Sequence, residues 1–198
     1  MEQRRDEELL AEHLAGKPGV FDLLVARYVD GLYAFFKRFV GNTTVADDLV
    51  QETFLQVHLA AGSFDPSRAF KPWLFTIAAN KGRDYMRARG RRPTQSLDFA
   101  GVDADGPTPA AQLEGSEPSA NEQMDSQERS ELVRQMIAQL PEHLRLILIL
   151  GYYQKLPYAE IAEILDIPVG TVKSRLHGAV THFSRLWLAH PKTAELEQ

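Results

Sequence analysis

Three carboxylates, Asp47, Asp48 and Glu52 in the segment VADDLVQETFLQVHLAA, are the first residues whose types and spacing could do chemistry. Two adjacent acids with a third four positions on resemble a magnesium-binding motif, so a metal-dependent enzyme is one function class to weigh. Asp47 and Asp48 in a first helical turn already favour the helix dipole, however, and no second acidic cluster completes a site. His177 and His182 form another candidate pair, but five residues of helix set them about 140° apart, too far round for one ion. With no Cys in the chain, disulfides, thiol nucleophiles and cysteine zinc sites are excluded. No metal and no cofactor are expected.

The other chemistry on offer is contact chemistry, and it depends on where the charges lie. The 198 residues carry 22 Lys and Arg against 27 Asp and Glu, a formal charge of −5 that argues against nucleic acid only if it is evenly spread. It is not. Residues 1–67 sum to −5, Arg68 to Arg92 to +7, residues 93–131 to −8, residues 132–166 to −1, and residues 167–198 to +2. Any single charged run reads most simply as a solvated face. An alternation of this size along one chain instead suggests separate partners.

Those charges need elements to position them. With 44% hydrophobic and 25% charged residues the chain can bury a core. No apolar run reaches the roughly 20 residues of a membrane-spanning helix, and the start MEQRRDEELLAEHL has no apolar signal stretch, so no membrane insertion and a cytoplasmic address are expected. The acidic stretch Pro93 to Ser126 is rich in Pro and Gly, poor in large apolar residues and without helical or alternating period, which predicts a flexible linker. It divides the chain into domains at 1–92 and 127–198. Neither shows strand-like alternation, so the expected fold class is all-α, two small helical domains joined by a flexible acidic linker.

In the first domain Phe21 to Val40 carries a broad apolar stripe, and Asn42, Thr43 or Thr44 can cap the helix after it. That next helix buries Val45, Leu49, Val50, Phe54 and Val57, while Asp47, Asp48, Gln51 and Glu52 share its other side with Leu55 and Leu59. Phe70 to Arg92 places Thr76, Asn80, Arg83, Asp84, Arg87 and Arg91 within about 100° of arc, opposite Leu74, Ile77, Ala78, Tyr85 and Ala88. Lys81 falls on the apolar side and spoils the pattern unless its stem snorkels. Cations along one helix face, with Phe70, Trp73 and Phe75 at its start, suit tracking phosphates while stacking bases. Trp73 is equally at home in a core, and its burial separates the two readings.

In the second domain Glu128 to Leu140 is amphipathic, and LPEHLRLILILGYY carries more apolar surface than one short neighbour covers, which suggests a packed bundle or a partner groove. Tyr158 to Leu165, the break Asp166-Ile167-Pro168, and a helix from Val169 form a helix-turn-helix pattern of the kind that lays its second helix in a major groove. On that helix Thr171, Ser174, His177, Gly178, Thr181 and Arg185 share the outer side, flanked by Lys173 and Arg175. No acid occurs between Ile167 and Lys192, although Glu is among the better helix formers, and this favours DNA.

Taken in order, DDLVQETFL, WLFTIAANKGRDYMRARGRR, the linker, LPEHLRLILIL and YAEIAEILDIPVGTVKSRLHGA resemble the two-domain bacterial RNA polymerase sigma factors of the extracytoplasmic-function class. The resemblance implies a non-enzymatic factor that binds core polymerase, recognises promoter DNA and helps open it. It implies that Asp47, Asp48, Gln51, Glu52 and Phe54 dock on the clamp helices of the β′ subunit, and that Leu144 to Leu150 meet the flap of the β subunit. Asn80 would help read the minus-ten element, Lys81, Arg83, Arg87, Arg91 and Arg92 would hold phosphates, and Trp73 would sit by the melting strand. Thr171, Lys173, Ser174, Arg175 and His177 would enter the major groove at the minus-thirty-five element. The acidic linker would occupy the polymerase channel, and an anti-sigma factor would control the whole. One departure stands out: Gly178-Ala179-Val180 replaces the Arg-Ala-Arg usual in the family, with Gly178 on the outward face. The competing reading is a stand-alone helix-turn-helix regulator binding an operator as a dimer.

Overall fold

The computed structural model describes residues 4–90 and 120–191, and every regular element within them is helical. Helix α1 (Asp6–Leu14) opens on Asp6, Glu7 and Glu8, acids placed to favour its dipole, and buries Leu9 and Leu10. α2 (Val20–Val40) runs between two left-handed glycines, Gly19 (φ 72°) and Gly41 (φ 73°), and the Gly41 amide closes it by donating to the Lys37 carbonyl. α3 (Thr43–Ala60) is capped by Asn42, whose side-chain oxygen accepts the Val45 amide at 2.9 Å. A short 3₁₀ turn, Ala61–Ser63, leads towards α4 (Phe70–Gly90).

At the start of α4 the Phe70 amide donates to the Glu7 carboxylate of α1, at 2.9 Å. Burial alone would raise the Glu7 carboxyl, but the Phe70 amide, its own amide and Arg5 outweigh that and hold it below the usual 4.5. A depressed carboxyl adds stability above its unfolded value that is lost as pH falls through the folded one. Glu7→Gln is therefore expected to cost about 1 kcal/mol at pH 7. The gap to the parent should close below pH 4, as read by urea unfolding at both pH values.

The second half begins with α5 (Ala120–Gln139), which starts inside the stretch expected to be linker and eight residues before the expected amphipathic helix. α6 (Glu142–Leu148) runs into a single π turn, Ile149–Tyr153, closed by the Gln154 amide on the Ile149 carbonyl. α7 (Tyr158–Leu165) ends at Asp166, which takes the left-handed conformation (φ 52°) that Asp tolerates better than most residues. The Ile167 amide closes the turn on the Ala162 carbonyl, and Pro168 opens α8 (Val169–Ala189), its carbonyl accepting from Thr171 and Val172. The helix-turn-helix expectation is met at both boundaries.

Leu24, Leu32, Phe35, Phe36 and Phe39 of α2 form the centre of the first half with Leu74, Phe75 and Ala78 of α4, Phe35 meeting Phe75 edge to face. In the second half Ile147, Ile149, Leu150, Ile161, Val172 and Ala179 are fully enclosed. The two cores are continuous, because α7 packs on α4, and α5, α6 and the π turn pack on α2. Five consecutive residues, Leu146 to Leu150, are thereby 8% exposed or less. Of the two expectations for this apolar surface, a packed bundle or a partner groove, the packed bundle is met. The segment is central to the bundle, so α8 and the first half enclose it.

Candidate nucleic-acid and polymerase interfaces

Asp47, Asp48, Gln51 and Glu52 are all exposed on one side of α3, and Leu55 and Leu59 join them at 59% and 69% exposure. Asp48, Gln51, Glu52 and Leu55 line a shallow groove, acids flanking a leucine. Such a face suits a basic, partly apolar protein surface. Phe54 is not part of it. It is 8% exposed and meets Phe21 edge-on, so it is a core residue that supports the face from beneath. The apolar members are Leu55 and Leu59, whose signal in the sequence was two leucines on the polar side of an amphipathic helix.

On α4, Asn80, Asp84 and Arg87 are exposed and Thr76 and Arg83 half-buried, so the polar face exists, with both arginines hydrogen-bonded within the helix. Arg83 donates to the Asn80 side-chain oxygen at 2.7 Å, and Arg87 pairs with Asp84 at 2.6 Å. Lys81 leaves the apolar side by reaching to Glu52 of α3, at 3.0 Å. Ala88, expected on the core side, is exposed. Arg91 and Arg92 lie outside the described residues. Trp73 is half-buried, with Phe64 at 4.9 Å and Phe70 at 5.8 Å between ring centres. In this arrangement it is a packing residue that keeps part of its surface exposed.

On α8, Lys173, Ser174 and His177 are exposed and Thr171 and Arg175 half-buried, a polar strip whose described groups are basic or neutral. Ser174 and Thr181 turn their hydroxyls onto the carbonyls of Thr171 and His177. Gly178 is not on the open face. It is half-buried against α6, where a Cβ would meet Leu144 at 3.8 Å, ordinary contact. Gly178→Ala is therefore expected to stabilise the chain by about 0.5–1 kcal/mol, raising the thermal midpoint, because helix propensity improves without a clash. Val180 is 51% exposed. Farther along, Phe183 and Trp187 stack at 6.1 Å, with the Arg129 guanidinium 5.7 Å from the Trp187 ring.

Away from these faces, His13 and His58 share one hydrogen bond of 3.0 Å across α1 and α3, against Phe21. Among the described residues no three His, Asp or Glu gather as metal ligands would.

Several polar contacts across the two halves have no sign in the sequence, since a helical pattern does not carry them. Arg68 pairs with Glu163 at 2.9 Å, Lys71 donates to the Gln154 carbonyl at 3.0 Å, and the Gln154 side chain donates to the Gly31 carbonyl at 3.2 Å. Arg145 reaches the Phe39 carbonyl at 2.8 Å and also donates to the carbonyls of Ala138 and Leu140. Arg38 lies over the Tyr153 ring at 4.3 Å, and burial pushes the Tyr153 hydroxyl upward against the influence of that cation.

An acidic face, a basic helix and a helix-turn-helix, divided between two halves of one helical chain, define a class. Residues 24–92 match the family of Sigma-70 region 2 and residues 130–183 that of Sigma-70 region 4, in that order, and the protein is a sigma factor of RNA polymerase. Within that class the chain belongs to the extracytoplasmic-function family. It is 38% identical to the ECF sigma-E factor of Escherichia coli, the match covering 90% of this chain and 92% of the relative. It is 36% identical to the ECF sigma factor SigW of Bacillus subtilis, over 82% and 86%, and 37% identical to the sigma-H factor of Pseudomonas aeruginosa, over 89% and 91%. Among solved structures, that of CnrH in complex with the cytosolic domain of CnrY superposes with a TM-score of 0.68 at 27% identity, covering 93% of this chain and 97% of that one. No described helix is long and apolar enough to cross a membrane.

Proposed function

We propose that the chain divides the work of initiation between its faces. The acidic side of α3 docks on the β′ clamp helices, with Asp47, Asp48, Gln51, Glu52 and Leu55 in contact and Phe54 as their support. The polar face of α4 reads the minus-ten element through Asn80, with Arg83, Arg87 and, beyond the helix, Arg91 and Arg92 on phosphates, and with Trp73 beside the melting strand. Thr171, Lys173, Ser174, Arg175 and His177 of α8 read the minus-thirty-five element, where a well-made major-groove contact discriminates by about 1–3 kcal/mol. Leu144 and its neighbours can meet the β flap only by what the bundle leaves uncovered. The factor acts in the cytoplasm and contributes no catalytic group, the chemistry of RNA synthesis belonging to the polymerase.

The observation that carries this reading is the placement of opposite charges on separate faces, acids on α3 and cations on α4 and α8. Control by an anti-sigma factor is part of the proposal. CnrH is matched in its complex with the cytosolic domain of CnrY, and in this chain the contacts between the halves give such a partner a closed arrangement to stabilise.

Reconstituted transcription is the test. The pure chain with core polymerase is expected to form a complex and initiate at promoters of its own genome, and failure of both would sink the proposal. Specific DNA binding without polymerase, as a dimer on a palindrome, would favour the stand-alone regulator. Changing Arg87 and Arg91 together to Ala is expected to flatten the log-log salt dependence of promoter binding by about two units, near one for each phosphate that is no longer neutralised.

A further inference from the structure

We propose that Glu52 holds Lys81 away from nucleic acid in the unbound chain and releases it when Glu52 is engaged by the polymerase, so that docking itself adds a cation to the DNA-reading face. The inference rests on the sigma-factor reading above, and concerns how its two faces communicate.

The observations are three. The Lys81 ammonium lies 3.0 Å from the Glu52 carboxylate, joining α4 to α3. Glu52 is one wall of the groove shared with Asp48, Gln51 and Leu55, so it lies within the proposed docking face. Lys81 stands next to Asn80 and three residues before Asp84, on the flank of the proposed DNA face. One ion pair thus spans the two faces, and each partner is needed by a different macromolecule.

Both groups keep contact with solvent, at 31% and 53% side-chain exposure, and an ion pair of this kind is held weakly enough to be exchanged. A basic group of the polymerase that takes the Glu52 carboxylate leaves the ammonium without a counter-charge. Its four-carbon stem is free to turn toward a phosphate on the same side of α4, where it displaces a condensed counterion. The neighbouring cations do not behave this way, because Arg83 is hydrogen-bonded to the Asn80 side chain and Arg87 ion-paired with Asp84, both within α4, and neither partner lies on the docking face.

The test uses the full chain, first without polymerase, and a fluorescent dT12 strand at low salt as the probe. Glu52→Gln is expected to tighten binding about threefold and to steepen the salt slope by about 0.7, the increment of one added single-strand phosphate contact. Asp48→Asn removes the same charge from the same face without freeing a lysine, and is expected to do neither to that extent. The gain from Glu52→Gln is expected to vanish when Lys81 is Ala. Equal gains from the two substitutions, a gain that survives Lys81→Ala, or no gain at all would each overturn the proposal. In the assembled holoenzyme, Lys81→Ala is expected to lower the promoter salt slope by about one unit, and an unchanged slope there would also overturn it. Failure to assemble any holoenzyme is a separate result. It would refute the sigma-factor reading, while the dT12 measurements still decide whether Glu52 restrains Lys81.

Discussion

Arg145→Ala is expected to destabilise the chain by about 3 kcal/mol and to loosen one half from the other. The side chain is half-buried, and burial depresses its pKa against the opposing pull of Glu142, yet its guanidinium donates to three main-chain carbonyls. Two of these, on Ala138 and Leu140, lie at the end of α5, and the third, on Phe39, at the end of α2. Helix C-termini leave carbonyls without partners, and a cation there satisfies both the hydrogen bonds and the dipole. Alanine removes a charge-assisted donor, worth about 1.5–3 kcal/mol per bond before compensation, and strands the acceptors where water reaches them poorly. Urea unfolding measures the loss. Small-angle scattering measures the separation, as an increase in radius of gyration. Arg145→Lys is expected to recover less than half of the stability, since an ammonium has no planar fork to span two helix ends.

Gly82→Ala is expected to cost about 1–3 kcal/mol, the opposite sign from Gly178→Ala, although both glycines are helical. α4 approaches α2 so closely at Gly82 that an added Cβ would lie 2.7 and 2.8 Å from Cδ1 and Cε1 of Phe39, with Phe36 at 3.6 Å. The Phe39 ring is fully enclosed and stacked with Phe35, so it cannot move aside without disturbing the core. Overpacking of this kind typically outweighs the roughly 1 kcal/mol that alanine gains by helix propensity. Thermal midpoints of the two glycine variants give the comparison directly. Because Arg145 holds the carbonyl of the same Phe39, combining Arg145→Ala with Gly82→Ala is expected to depart from additivity.

The elements most legible in the sequence are those whose own side chains set their faces. The stripes of α2 and α3, the cation row of α4 and the short turn around Asp166 follow from period, caps and one Asp-Ile-Pro break. What was not legible depends on partners distant in the chain. α1 shows only two buried leucines, and its importance lies in Glu7 reaching Phe70. Leu146 to Leu150 read equally as part of a packed bundle or as a partner groove, because the half that encloses them lies about a hundred residues earlier. Phe54 was legible, since the helical period already places it on the buried side of α3, and only the family resemblance set it among the acids. Lys81 breaks the α4 pattern because its partner, Glu52, is on another helix. Gly178 and Gly82 are indistinguishable as letters, and only the distance to Leu144 or Phe39 gives each its meaning.

The early start of α5 sets a length limit on the whole assembly. With that helix beginning at Ala120, the chain between it and Gly90 is 29 residues, which reach about 100 Å when fully drawn out. Elements named for positions ten and thirty-five bases upstream are about 25 base pairs apart, or about 85 Å of duplex at 3.4 Å per step. On the proposed assignment the reach of this connector, added to the dimensions of the two halves, puts an upper bound on the spacing between the promoter elements that the chain can span.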